Sequence, residues 1–190
     1  MQWISYVVGG LALAVSAAFG GFAPIENPEP VLKAGQVDAG KPWNVTILRA
    51  RLVKDLEPAA RLQDKNNHWL AVVADIEITD VESHSDIRDI LLVPKAEGLV
   101  LGERTSTTKE YRAYEVIVTS DGTRVESLHP GLKETVAFLW EQKGDVVPTE
   151  VEIQIMGMTW RKDSLTGVMG WHDLAPRATL TVPVEDKRNG

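Results

Sequence analysis

Four histidines, His68, His84, His129 and His172, and the absence of cysteine set the limits on what chemistry this chain can do. No two histidines stand at HxH or HExxH spacing, the arrangements that bring two imidazoles to one zinc ion. His129 precedes a turn proline, and His68 and His172 each adjoin a tryptophan, so all four read as surface or turn residues. Asp80, Glu82, Asp86 and Asp89 put four carboxylates within ten residues. Oxygen-rich loops hold calcium where a glycine sharpens the turn at EF-hand spacing. This loop has neither, and reads as solvated. Ser, His and Asp are all present, but no GxSxG elbow sets a nucleophile beside a base, and the GxGxxG and GxxxxGK[ST] phosphate loops are missing. The residues therefore name no catalytic group, no metal ligand and no cofactor.

The best candidate for function is apolar. Val151, Ile153 and Ile155 alternate with Glu150, Glu152 and Gln154, and continuing the polar parity leads to Met156, Met158 and Trp160. Two readings are open. Either Gly157 marks a bulge that turns these side chains inward, or they form an apolar stripe on the outer face. The following stretch, Ser164–His172, reads as a loop containing Val168, Met169 and Trp171. Exposed Met and Trp close together are what protein contacts favour. Met156, Met158, Trp160, Met169 and Trp171 are thus the partner-contact candidates, the alternative being that Trp171 folds back over Trp160 within one domain.

The elements that position these residues are strands. Trp43–Val53 changes the parity of its apolar residues midway, from Val45 and Ile47 to Ala50 and Leu52, as a β-bulge does. His68–Thr79 is the strongest strand signal; its first half, with Trp69, Ala71 and Val73 set between Leu70, Val72 and Ala74, is apolar on both faces, as a central strand requires. Short strands are expected at 90–93, 99–101 and 111–119. Longer ones are expected at 134–141, 151–160 and 178–184. Leu56–Asn67 and Asp80–Asp89 read as loops. Nothing after residue 42 keeps helical period, so an all-β, antiparallel sandwich is expected over 43–184, with a frayed tail at 185–190.

Ahead of the domain, Ile4–Ala23 is 20 residues without Asp, Glu, Lys, Arg or His. As a helix it would be about 30 Å long, the thickness of a bilayer's hydrocarbon core. Residues 1–23 read as a single transmembrane anchor helix that is not cleaved, because no Lys or Arg precedes the apolar run. Gly10, Ala14 and Ala18, with Ala17 and Gly21 beside them, form a small-residue face suited to helix–helix packing. Residues 24–42, with Pro24, Pro28 and Pro30, read as a linker. Glu26 and Glu29 follow the helix directly, which favours the N-terminus in the cytoplasm and the domain outside. The net charge of −7 lies wholly after residue 25 and argues against a nucleic-acid partner.

The run Trp69-Leu70-Ala71-Val72, the long polar middle, and Leu128-His129-Pro130-Gly131 ahead of the strand at 136–140 resemble one group of bacterial immunoglobulin-like domains. These occur outside the membrane on anchored proteins and lipoproteins. The resemblance covers about Trp43 to Val184 and implies an immunoglobulin-like sandwich and an extracytoplasmic location, with no catalysis. The chain lacks the lipidation cysteine of the lipoprotein members, which leaves the helix as its anchor. The combination also resembles small actinobacterial accessory subunits of respiratory-chain supercomplexes or other envelope complexes. The expectation is a non-catalytic, single-pass accessory subunit in the bilayer, whose helix packs on an integral membrane complex and whose sandwich contacts partner proteins. The alternative is an extracytoplasmic module that binds or senses a glycan, a peptide or calcium through the Asp80–Asp89 or Ser164–His172 loop. An envelope hydrolase is the weakest reading, for want of a nucleophile and base.

Overall fold

A computed structural model of the protein describes residues 29–85, 87–100 and 112–189. Eight strands follow one another among the described residues: β1 (Val37–Asp38), β2 (Trp43–Val53), β3 (His68–Ile78), β4 (Leu91–Leu92), β5 (Glu115–Val118), β6 (Lys133–Gln142), β7 (Glu150–Lys162) and β8 (Met169–Asp186). A 3₁₀ turn at Ile87–Asp89 lies between β3 and β4. No helix among the described residues is long and apolar enough to cross a membrane. The anchor segment 4–23, with Gly10, Ala14, Ala17, Ala18 and Gly21, lies outside the described residues.

The fold is an all-β sandwich. One layer runs β4-β7-β8; the other runs β2-β3-β6-β5, with β1 on β2. Every pairing of these strands is antiparallel except one: Ala50–Leu52 of β2 run parallel to Val184–Asp186 at the end of β8. β8 therefore belongs to both layers, and the expectation of a purely antiparallel sandwich is corrected at that point. The parity change in β2 is a bulge between Ile47 and Arg49. It turns Val45 and Ile47, then Ala50 and Leu52, toward one interior, where they meet Val72 and Ile76 of β3, Phe138 of β6, Ile153 of β7 and Leu180 of β8.

β3 is central, as its two apolar faces require. Its other face carries Trp69, Ala71 and Val73 into a second, smaller core with Ile117, Ala137 and Leu139. The segment after β2, expected as a loop, covers that core with Leu56, Ala60 and Leu62. The cover is tied down by Glu141, which is buried and accepts from the backbone N–H groups of Gln63 at 2.9 Å and Asp64 at 3.0 Å and from Asn67 Nδ2 at 2.7 Å. A buried carboxylate is tolerated when several donors converge on it. Gly144 is needed nearby, since a Cβ there would stand 2.0 Å from the Asn66 carbonyl oxygen.

Both ends of the domain are more ordered than the sequence suggests. Within 24–42, Leu32 donates to Thr179 O and Thr179 to Pro30 O, and β1 pairs with β2. At the other end, Lys187 N donates to Leu52 O and Arg188 binds Asp186 and the Gly144 carbonyl, so the first residues of the expected frayed tail are fixed. The Arg188 guanidinium, together with the Arg188 backbone N–H, holds the Asp186 carboxyl down at about 2.

Phe138 is fully buried between the two layers. Truncating it to alanine is expected to cost about 3–5 kcal/mol of unfolding free energy, measurable by urea denaturation.

Candidate functional site

The β7–β8 hairpin outgrows the sandwich. The ladder slips between Ile155 and Met156 and again between Gly157 and Thr159, then continues through Trp160 opposite Trp171 to Lys162 opposite Met169. Ser164–His172, expected as one loop, is thus a short turn followed by the start of β8. Beyond Met158 no strand of the other layer pairs with or backs the hairpin among the described residues, and it forms an arm whose residues are exposed or half-buried.

The turn at its end is closed by its own hydrogen bonds. Asp163 N donates to Val168 O at 2.8 Å, and Gly167 N donates to Asp163 O at 3.0 Å. The Asp163 carboxylate accepts from Leu165 N, Thr166 N and Thr166 Oγ1 at 2.6–2.9 Å. The Thr166 hydrogen bonds hold that carboxyl below its ordinary range. Gly167 sits at φ 73°, where a Cβ would be strained. One turn back, Arg161 grips Asp173 across the arm with Nε on Oδ2 and Nη2 on Oδ1, the second at 2.8 Å. Asp173 itself has φ 57°, uncommon for a side chain other than glycine.

The arm is fastened at its base by two groups of polar residues. Trp171 Nε1 donates to Asp80 Oδ2 at 2.5 Å, and His84 Nε2 is 3.0 Å from the same oxygen. The His84 ring stands edge-on to Trp43, 5.7 Å between centroids, and Trp43 Nε1 donates to Met156 O at 2.7 Å. On the other side Arg177 holds Asp38 with Nε and Nη2 and donates to the carbonyls of Lys41 and Trp43 at 3.1 Å each. Burial pushes the Asp80 carboxyl up, but the N–H groups of Trp171 and Val81 and the His84 ring outweigh that and hold it below the usual aspartate value.

The five contact candidates separate accordingly. Met156 is buried, and Met158 packs partly on the core, as the bulge reading has it. Trp160 and Met169 stand out, 51% and 49% exposed. Trp171 is half-buried with its ring 5.2 Å from that of Trp160 at 64°, so the two indoles do meet, without hiding Trp160. At the apex, sequence reasoning named Val168, 64% exposed, only as a loop residue and missed Leu165, 94% exposed. It named Asp80 only as a carboxylate of a solvated loop and missed its bond to Trp171, 91 residues away.

The histidines are distributed differently from expectation. His129 is exposed, with Nδ1 2.7 Å from Ser83 Oγ. His68 is buried, against the surface reading, with Nε2 3.1 Å from Gln142 Oε1, and burial lowers its pKa. Among the described residues no three His, Asp or Glu side chains come together as a metal cage. A cleft of about 290 Å³ lined by Lys54, Arg61, Leu62, Lys65 and Trp69 lies beside the cover of the small core.

No family model and no curated protein matches the chain. Among solved structures, it is similar to an uncharacterized β-sandwich protein from Clostridium difficile 630, at 11% identity and a TM-score of 0.49, over 84% of this chain and 97% of that one.

Asp80→Ala should lower stability by about 1 kcal/mol at pH 7, the worth of the hydrogen bonds it removes. Because the folded carboxyl titrates below its unfolded value, its contribution is complete above about pH 5 and fades as pH falls through the folded value. Thermal unfolding followed against pH should show the gap between the two proteins closing below about pH 4.

Proposed function

We propose that the protein is a non-catalytic interaction module of the cell envelope: a single-pass anchor in residues 1–23, an extracytoplasmic immunoglobulin-like sandwich, and a protruding β7–β8 arm that meets a partner protein. The observation that supports this most is the arm. Trp160 and Met169 are held outside the core on a hairpin whose base and turn are both fixed by hydrogen bonds. A monomeric sandwich has no internal use for such side chains, whereas an aromatic and a methionine presented on a rigid strand pair cost little further ordering on binding. The small-residue face of the anchor, Gly10, Ala14 and Ala18, suits packing on a helix of a larger membrane complex. An actinobacterial respiratory supercomplex is one complex of the kind that carries such subunits.

A ligand-binding module is the second reading, and one observation favours it. The cleft beside the small core gathers Lys54, Arg61 and Lys65 around Trp69, whose indole Nε1 is buried without a hydrogen-bond partner. Lys54, however, already donates to the carbonyls of Lys65 and Asn67. The Asp80–Asp89 loop offers less, since the Asp80 carboxylate is taken by Trp171 and His84.

Purification from native membranes in mild detergent is expected to bring down a stoichiometric membrane partner. The double variant Trp160→Ala, Met169→Ala should lose most of that partner while its own stability changes by no more than about 1 kcal/mol, as for exposed side chains. Isolation of the wild type as a lone monomer would count against the reading.

A further inference from the structure

We infer that the apex of the β7–β8 arm, Leu165 and Val168, rests in the interfacial layer of the same bilayer that holds residues 4–23. This rests on the anchor reading and goes beyond it, since it fixes how the domain stands on the membrane and gives the apex a role separate from the Trp160–Met169 contact.

Direction is the first reason. Val31 pairs with Thr179 in parallel, with Leu32 N donating to Thr179 O at 2.8 Å and Thr179 N to Pro30 O at 3.1 Å. The chain at Pro30–Leu32 therefore runs the same way as β8, away from the arm's apex. Read from Leu32 back to Pro30, these residues point toward the apex.

Reach is the second. Seven residues separate Ala23 from Pro30, and a chain of that length spans at most about 25 Å. Ten residues of β8 separate Thr179 from Met169, and a strand of that length spans about 33 Å. Along β8, the end of the apolar segment can lie no farther from Thr179 than the apex does. An anchor seated in the hydrocarbon core to Ala23 would bring the apex to the membrane surface, with β8 inclined to the bilayer normal so that the apex rests among the headgroups.

The chemistry of the apex is the third. Leu165 and Val168 are its two most exposed apolar side chains, fixed by the Asp163 turn rather than by packing. The Asp163 carboxylate is occupied by the turn, and Arg161 is paired with Asp173. From 158 to 174 the formal charges of Arg161 and Lys162 cancel those of Asp163 and Asp173, on a chain of net charge −7. The arm is thus formally neutral within an acidic chain, and an anionic headgroup layer does not repel it. An aliphatic apex flanked by indoles and basic side chains is the composition that settles at a membrane–water boundary.

The chain has no cysteine, so Leu165→Cys takes a single nitroxide label. The full chain, reconstituted in phosphatidylethanolamine–phosphatidylglycerol nanodiscs, would be compared with a label at Val147→Cys, an exposed position in the β6–β7 loop. The expected result is a higher accessibility to oxygen than to a water-soluble nickel chelate at 165 and the reverse order at 147. A label at 165 that behaves like 147 while the protein remains in the disc fraction would overturn the inference and leave the anchor reading intact. A label at 165 shielded from both reagents would mean contact with a second copy and would also overturn it. Protein found outside the disc fraction would overturn the anchor reading and the inference with it.

Discussion

A strand that serves two sheets must satisfy two sets of backbone partners along one chain, since buried N–H and C=O groups cannot be left unpaired. β8 does this by changing neighbours along its length. It pairs with β7 from Met169 to Pro183 and lies parallel to β2 from Val184 to Asp186. That one continuity joins the layers, receives the N-terminal segment at Thr179 and carries the arm beyond the sandwich. The ladder slips at Ile155/Met156 and Gly157/Thr159, where the strand pair leaves the core, and the side chains that brace it, Arg177 and Trp171, come from β8 itself.

Much of the sandwich was legible because burial writes itself into alternation. The parity change between Ile47 and Ala50 could only be a bulge if both halves of β2 face one core, and the two apolar faces of His68–Ala74 required cover on both sides. The arm was legible only in part. Met169-Gly170-Trp171-His172 has no fully buried face, so nothing in the sequence imposes an alternating pattern, and it reads as loop although it is strand. Trp160 and Trp171 could be named as a possible pair, but Asp80 could not be linked to Trp171 from 91 residues away. His68 was misread because its burial depends on Gln142, a partner that only the β3–β6 register supplies.

The polar groups of the candidate site are engaged with one another and with the backbone. Asp80, Asp163, Asp173 and Arg161 each spend their charge on holding the arm's own shape. What they leave free is apolar: Trp160, Leu165, Val168 and Met169. Investment of ion pairs in displaying hydrophobic side chains is the physical signature of a surface built for contact, because the ordering cost of binding has been met in advance. This is the basis for the proposal that the arm meets a partner.

The most direct measurement of that claim is site-specific photocrosslinking in native membranes, with a benzophenone amino acid at position 160 or 147. If the arm is the contact surface, position 160 yields a discrete crosslinked product and position 147 yields none. Crosslinking from 147 with none from 160 would contradict the account, since it would put the contact at the opposite end of the sandwich.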